Sequence, residues 1–477
     1  DDFRPGQPLM DTYRPALLEE GLYHADGQIL EEVYVYGSFL QSKMYRAGVT
    51  CSDCHDPHTG RLKTAGEASN ICSGCHLPSI FASSGHHRHA PDEAACVDCH
   101  MPSRNYMVID SRRDHSFRVP RPDLTIKTGS PNACNQCHSH EDADSMANAV
   151  NTWYGKTSAE PAHFAETIHA GRLGSPGANA QLLEVIDDDA NPAIARATAL
   201  TLLAMPFVDE VAAVVRRELS SRDPLIRIAA LRSLEDMAPA YRAEWAVSSL
   251  TDPIRAVRTQ AVTTLSRARA ALRQADRERL EMAEREYIRG QLALAERPES
   301  HINLGNLYAD SGDAAKAEAS YLLALQMEPR AVAARVNLVD LYRQLERDSD
   351  SERILRDGIA LDDVSAALHH ALGLLLVRDG KPDDALTELA LAARLDAQNA
   401  RYIYVYAVAL NSLGESERAI STLEDAREKF PANYDIAWAL ATMYRDIGRV
   451  ADARVEANRL LAAYPDDPRI RSLIESL

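Results

Sequence analysis

The chain has 477 residues, 26% of them charged, with a formal net charge of −18 at pH 7. That acidity argues against nucleic acid as a partner, because phosphate binding needs a basic surface, and no apolar run of 18 or more residues is present to cross a membrane. Low aromatic content (6%) beside abundant Ala, Leu, Arg and Glu predicts a mainly α fold, and the length suits about two to four domains.

The chain opens Asp1-Asp2-Phe3 with neither methionine nor an apolar leader, and so reads as a processed or truncated product. Residues 1–50 carry turn signals such as Arg4-Pro5-Gly6, then the run Glu31-Glu32-Val33-Tyr34-Val35-Tyr36-Gly37. Apolar residues alternate there over a few positions, which predicts a short strand or a packed loop.

From Cys51 to His138 the pattern Cys-x-x-Cys-His occurs four times, and it uses all eight cysteines of the chain: Cys51/Cys54, Cys72/Cys75, Cys96/Cys99 and Cys134/Cys137. This spacing attaches c-type haem, the thiols forming thioethers with the porphyrin vinyl groups and the adjacent histidine ligating iron. The proximal ligands are then His55, His76, His100 and His138. A pair of Cys₄ zinc sites is the competing reading, but it gives no reason for a histidine after every pair. Attachment of this kind takes place outside the bacterial cytoplasm, so the motifs imply an exported protein, periplasmic or extracellular. Gly, Pro, Asp and Ser punctuate residues 51–155, which predicts an irregular domain packed around its porphyrins. Four haems within the 88 residues from Cys51 to His138 must lie in or near contact.

The sixth ligand of each iron separates electron transfer from catalysis. Seven more histidines lie in or just before this segment: His24, His58, His86, His87, His89, His115 and His140. Supply exceeds demand, so all four haems can be bis-histidine and closed. His58 follows His55 too closely to reach the opposite face of the same ring, and is expected to ligate a neighbouring haem and bridge two porphyrins. His140 is under the same restriction and ranks lower. The cluster Gly85-His86-His87-Arg88-His89 is expected to hold at least one ligand, and in an extended segment two members would point to different haems. His86 and His89 are selected there, and isolated His115 completes the set. Arg112, Arg113, Arg118 and Arg121 are candidates for propionate pairing, with solvated surface as the competing reading. No nucleophile–base pair, phosphate-cradling loop or metalloprotease helix appears.

The composition changes after Trp153-Tyr154-Gly155, closing a tetrahaem domain at 1–155. Residues 156–178 read as a polar linker, with His163 and His169 as surface histidines. Across 179–268 a loose repeat follows: Asn191-Pro192, Asp223-Pro224 and Asp252-Pro253 each open a helical run, with Arg196, Arg227 and Arg258 soon after. This is a HEAT-like pattern. A charged connecting helix spans 269–297, with a solvated face. From 298 to 465 five tetratricopeptide (TPR) units keep one register of 34 residues, with small residues at Gly305, Val339, Gly373, Ala407 and Ala441. Residues 466–477 read as a capping helix. The fold class is thus a haem-packed irregular domain followed by an α-solenoid.

The stretches Glu32–Phe39, Cys51–His58 (Cys-Ser-Asp-Cys-His-Asp-Pro-His), Asp114–Phe117 and Pro131–Cys134 resemble a family of exported multihaem c-type cytochromes carrying TPR repeats, related to the cytochrome c-554 and pentahaem nitrite reductase group. The resemblance implies bis-histidine haem packing and respiratory electron transfer with protein partners. Members of that family usually carry further such motifs upstream of the tyrosine-rich segment, so either an N-terminal portion with additional haems is missing here or this is a shorter relative with four. Three functions follow as expectations. The first is an electron carrier whose solenoid docks redox partners. The second is a subunit of a conductive filament in which one copy's histidine ligates the next copy's haem. The third is a reductase of small nitrogen or sulfur oxyanions.

Overall fold

The computed structural model describes residues 4, 6–66, 69–90, 93–106, 108–155, 163–175, 177–203, 209–431, 433–464 and 467–477. Among them the chain is mainly helical, with one antiparallel hairpin of β1 (Ser103–Tyr106) and β2 (Asp110–Arg113), Ser103 opposite Arg113 and Tyr106 opposite Asp110. The described helices between residues 43 and 100 have four or five residues each. The tyrosine-rich run is a short helix, Val35–Phe39, in place of the expected strand or loop. Among the described residues no neighbouring strand offers it a ladder, and Gly37 sits where a Cβ would come within 2.3 Å of the Tyr23 hydroxyl.

Residues 41–123 bury few of their described apolar side chains, Val97, Pro102, Tyr106 and Pro122, while Leu77 and Ile80 are 61% and 53% exposed. Burial on that scale cannot offset the conformational entropy of ordering such a segment. The protein core lies elsewhere. It starts at Leu17, Leu18, Tyr23 and Ile29 and continues without interruption into Ile168, Leu182, Ile194, Leu231, Leu265 and Leu280. Leu18 N–H donates to Thr198 Oγ1 at 3.0 Å and Arg172 Nη2 donates to the Leu18 carbonyl at 2.7 Å, so the N-terminal segment is tied to the solenoid.

The linker expected at 156–178 lies partly outside the described residues, at 156–162 and Pro176. Its described part holds a helix, Phe164–Arg172, that buries Phe164, Ala165 and Ile168 in this same core. Three apolar residues on one helix face were enough to dock a stretch whose polar composition masked them. His163 caps that helix, Nδ1 accepting from the Ala165 N–H at 3.1 Å. Burial, then the nearby Arg118 cation, holds its pKa well below the usual imidazole value.

Two of the three repeated arginines of 179–268, Arg227 and Arg258, reach into the next element, while Arg196 holds Ile186 and Asp189 within its own unit. Arg227 Nε and Nη2 donate to Asp252 at 2.8 and 2.9 Å, and Arg258 Nε and Nη2 donate to Glu286 at 2.8 and 2.6 Å. Each also caps the carbonyls just before its own helix, Arg227 at Ser221 (2.8 Å) and Arg258 at Asp252 (2.7 Å). Asp223 and Asp252 each accept an N–H of the following turn, from Leu225 and Ile254, both at 2.8 Å. The connecting helix, Gln274–Leu292, is amphipathic, burying Leu280, Ala283 and Tyr287.

From Pro298 the solenoid is regular: five pairs, each a 13-residue helix followed by a 14-residue one. The small positions are where paired helices touch. A Cβ on Gly305 would lie 2.4 Å from the Tyr321 ring, and one on Gly373 2.6 Å from Leu389. Ala317, Ala407, Ala419, Ala441 and Ala453 are fully buried. Pro465 lies outside the described residues. Helix Pro468–Glu475 closes the array, burying Ile470 and Leu473.

Candidate metal centre

The first and third motifs share a local device. Asp53 and Asp98, each between the two cysteines, reach back to accept the N–H of Thr50 (2.6 Å) and Ala95 (3.0 Å). Each closes one turn of helix that presents the second cysteine and the histidine. The Asp53 carboxyl is held below the usual carboxylate range by that backbone bond. Successive motifs are neighbours in space. The Cys54 thiol is pushed up by burial and then by nearby groups that include Cys75, and Cys72 by burial, then Cys96 and Cys54. Burial and then Cys134 do the same to Cys99. Ser69 Oγ accepts from the Cys96 N–H at 3.1 Å, tying the second motif's helix to the third.

Three of the four motif histidines face another histidine. Ring centroids are 6.3 Å apart for His55 and His115, 6.1 Å for His86 and His100, and 6.1 Å for His89 and His138. A metal–imidazole bond of about 2 Å on each side sets two axial nitrogens about 4 Å apart and their ring centroids about 6 Å apart. The pairs fit an iron between them. The tautomers fit as well. Nδ1 of His55, His100, His115 and His89 points at the carbonyls of Gly60 (2.8 Å), Arg118 (2.5 Å), Arg113 (2.9 Å) and His87 (2.5 Å). A carbonyl only accepts, so each Nδ1 carries the proton and Nε2 is left with a bare lone pair for a metal. A depression of about 390 Å³ opens beside Cys51 and His55, within the range of small-molecule cofactor sites.

The histidine cluster is not extended. It is a turn of helix, Ser84–His87, followed by Arg88 in the left-handed region at φ 59°. That reversal sends His86 to His100 and His89 to His138, whereas His87 lies 6.4 Å from His89 on the same turn.

Other expected ligands are not brought together. His76 meets the edge of Phe81 at 5.4 Å and, among the described residues, no histidine at axial spacing. His58 is exposed on a turn in which Asp56 Oδ1 accepts its N–H at 3.1 Å. His140 is exposed beside Glu141, and His24 Nε2 lies 2.8 Å from Arg104 Nη1. The four arginines named for propionates already hold carboxylates: Arg112 with Glu32 and Asp110, Arg113 with Asp98, Arg118 with Asp26 and Asp114, Arg121 with Asp123. Among the described residues no three His, Cys, Asp or Glu side chains converge as a metal cage, so the cysteines do not assemble the Cys₄ arrangement. The carbonyls of Gly60, His87, Arg113 and Arg118 were invisible to sequence reasoning, because any residue type supplies one.

Family models described as tetratricopeptide repeat match residues 298–330, 370–423 and 412–477. Among solved structures, the chain is similar to the MamA protein, at 20% identity over 36% of this chain and 94% of that one, with a TM-score of 0.31. It is also similar to YrrB, a TPR protein with an unusual peptide-binding site, at 19% identity over 40% and 98%, TM-score 0.32. Pseudomonas aeruginosa pilF gives 16% identity over 38% and 87%, TM-score 0.33. No curated protein matches. The C-terminal part of the chain therefore carries tetratricopeptide repeats.

Proposed function

We propose that the protein is an exported, periplasmic or extracellular, multihaem c-type cytochrome that carries electrons through four closely packed haems, with its helical solenoid as the docking frame for redox protein partners. The observation that carries this reading is the facing of His55 with His115, His100 with His86 and His138 with His89 at 6.1–6.3 Å. The near absence of a protein core in residues 41–123 supports it, since a porphyrin-packed segment needs little apolar burial of its own. Haem supplies a one-electron ferric–ferrous couple when bound. Cys51, Cys54, Cys72, Cys75, Cys96, Cys99, Cys134 and Cys137 would anchor it, and the facing histidines of the first, third and fourth motifs would ligate iron and exclude substrate there.

For the second motif His58 is the ligand assigned. Cys54 and Cys75 are close enough to interact, so the first two motifs abut, and His58 is an exposed histidine three residues beyond His55. The acidic chain, at −18 before propionates are counted, suits a basic partner surface and a salt-dependent on-rate. TPR arrays bind protein segments on their faces.

One observation favours a second reading. His76 has no histidine across from it among the described residues, and in a filament a second copy would supply that ligand. Haem stoichiometry with electron paramagnetic resonance (EPR) on a monodisperse monomer separates the two: four low-spin irons support the first reading, and a high-spin iron that disappears on assembly supports the second.

A further inference from the structure

One five-residue stretch touches two histidine pairs at once. Asp114-His115-Ser116-Phe117-Arg118 presents His115 to His55, and its last residue grips His100 twice. The Arg118 N–H donates to the His100 carbonyl at 3.0 Å, and the Arg118 carbonyl accepts from His100 Nδ1 at 2.5 Å. Phe117, between them, has a left-handed φ of 49°. A non-glycine residue held there costs about 1–3 kcal/mol and persists only where its surroundings over-determine it.

The Arg118 side chain supplies that determination. Nε donates to Asp114 Oδ2 at 3.1 Å, Nη1 to the Asp26 carbonyl at 2.7 Å, and Nη2 to Gln41 Oε1 at 3.2 Å. The Arg118, Asp26 and Asp114 side chains are 13%, 6% and 7% exposed. Asp26 is itself fixed by Gln28, through its N–H at 3.1 Å and Nε2 at 2.7 Å. Asp26, Gln28 and Gln41 belong to the N-terminal segment that shares the solenoid core, so the grip on His100 is anchored outside the haem segment.

We infer that Arg118 is a positioning residue for the haem carried by His100: its guanidinium, locked by Asp26 and Asp114, fixes the peptide that orients and polarises the His100 imidazole, and so tunes that haem's potential. A carbonyl accepting from the far nitrogen of a ligating histidine fixes its tautomer and raises its basicity. The inference rests on the cytochrome reading above.

The test uses the full haem-loaded chain and the variants Arg118→Gln, Arg118→Lys and Asp26→Asn, read by spectroelectrochemical titration and low-temperature EPR. In Arg118→Gln one of the four potentials moves and one low-spin signal shifts, with a smaller effect in Arg118→Lys. Four unchanged potentials, or four that move together, overturn the inference. Should Arg118→Gln fail to load haem, the isosteric Asp26→Asn is judged by the same criterion. A wild-type chain that takes up no covalent haem overturns the cytochrome reading itself, before any variant is titrated.

Discussion

The imidazoles of His86 and His100 lie 6.1 Å apart and within 14° of parallel, although 14 residues separate them in the chain. Burial, then His100 and His87, lowers the pKa of His86, which favours its neutral ring.

Removing one distal ring should open one iron. His86→Ala, His89→Ala and His115→Ala are each expected to convert one low-spin haem in four to high-spin, and to add carbon monoxide binding in the reduced state. Absorbance and EPR follow both changes. A variant that stays fully low-spin would show that its histidine is not a ligand.

His58→Ala is expected to give the same signature at the haem of the second motif. If its spectra match those of the wild type in a monomeric sample, the ligand opposite His76 comes from another residue.

The repeats make an independent prediction. A Cβ at Gly305 would meet the Tyr321 ring at 2.4 Å, so Gly305→Val overpacks the first TPR unit. A loss of about 1–3 kcal/mol is expected, visible in the thermal unfolding of the helical signal. The haem spectra should not change. An unshifted melt would mean that the two helices of this unit do not pack as described.

The solenoid should also weaken in acid. His370 is 8% exposed, packs on Tyr402 at 4.6 Å, and has neither ring nitrogen hydrogen-bonded among the described residues. Burial, then the Arg401 cation, pushes its pKa down to about 4. The folded pKa lies below the unfolded one, so the neutral ring favours the folded state. That stability is complete above about pH 6.5 and is lost as the pH falls towards 4. The change is on the order of 2–3 kcal/mol. His370→Phe should flatten this part of the stability–pH curve, and an unaltered curve would remove His370 as its cause.

The solenoid was legible because its register is local and repeated. Gly305 and Tyr321 lie 16 residues apart within one helical hairpin, and the same spacing recurs as Gly373 and Leu389 in a later unit. The four Cys-x-x-Cys-His motifs were legible for the same reason, each being five consecutive residues. The pairing of histidine rings was only half legible. Composition singled out His86, His89 and His115, but which motif histidine each faces depends on long-range folding and on the left-handed Arg88. The helix Phe164–Arg172 was missed because it borrows its stability from Leu18 and Leu182, far away in the chain. The roles of Arg118 and Arg227 were hidden likewise, since their partners Asp26 and Asp252 lie 92 and 25 residues away.

The central claim is most directly tested by counting haems and their spin states in the full chain, matured in a host that attaches c-type haem. Pyridine haemochrome analysis with quantified EPR should give four covalent haems per chain, at least three of them low-spin with two histidine ligands. A chain that folds with free thiols and no haem, or that holds zinc in its place, would contradict the account.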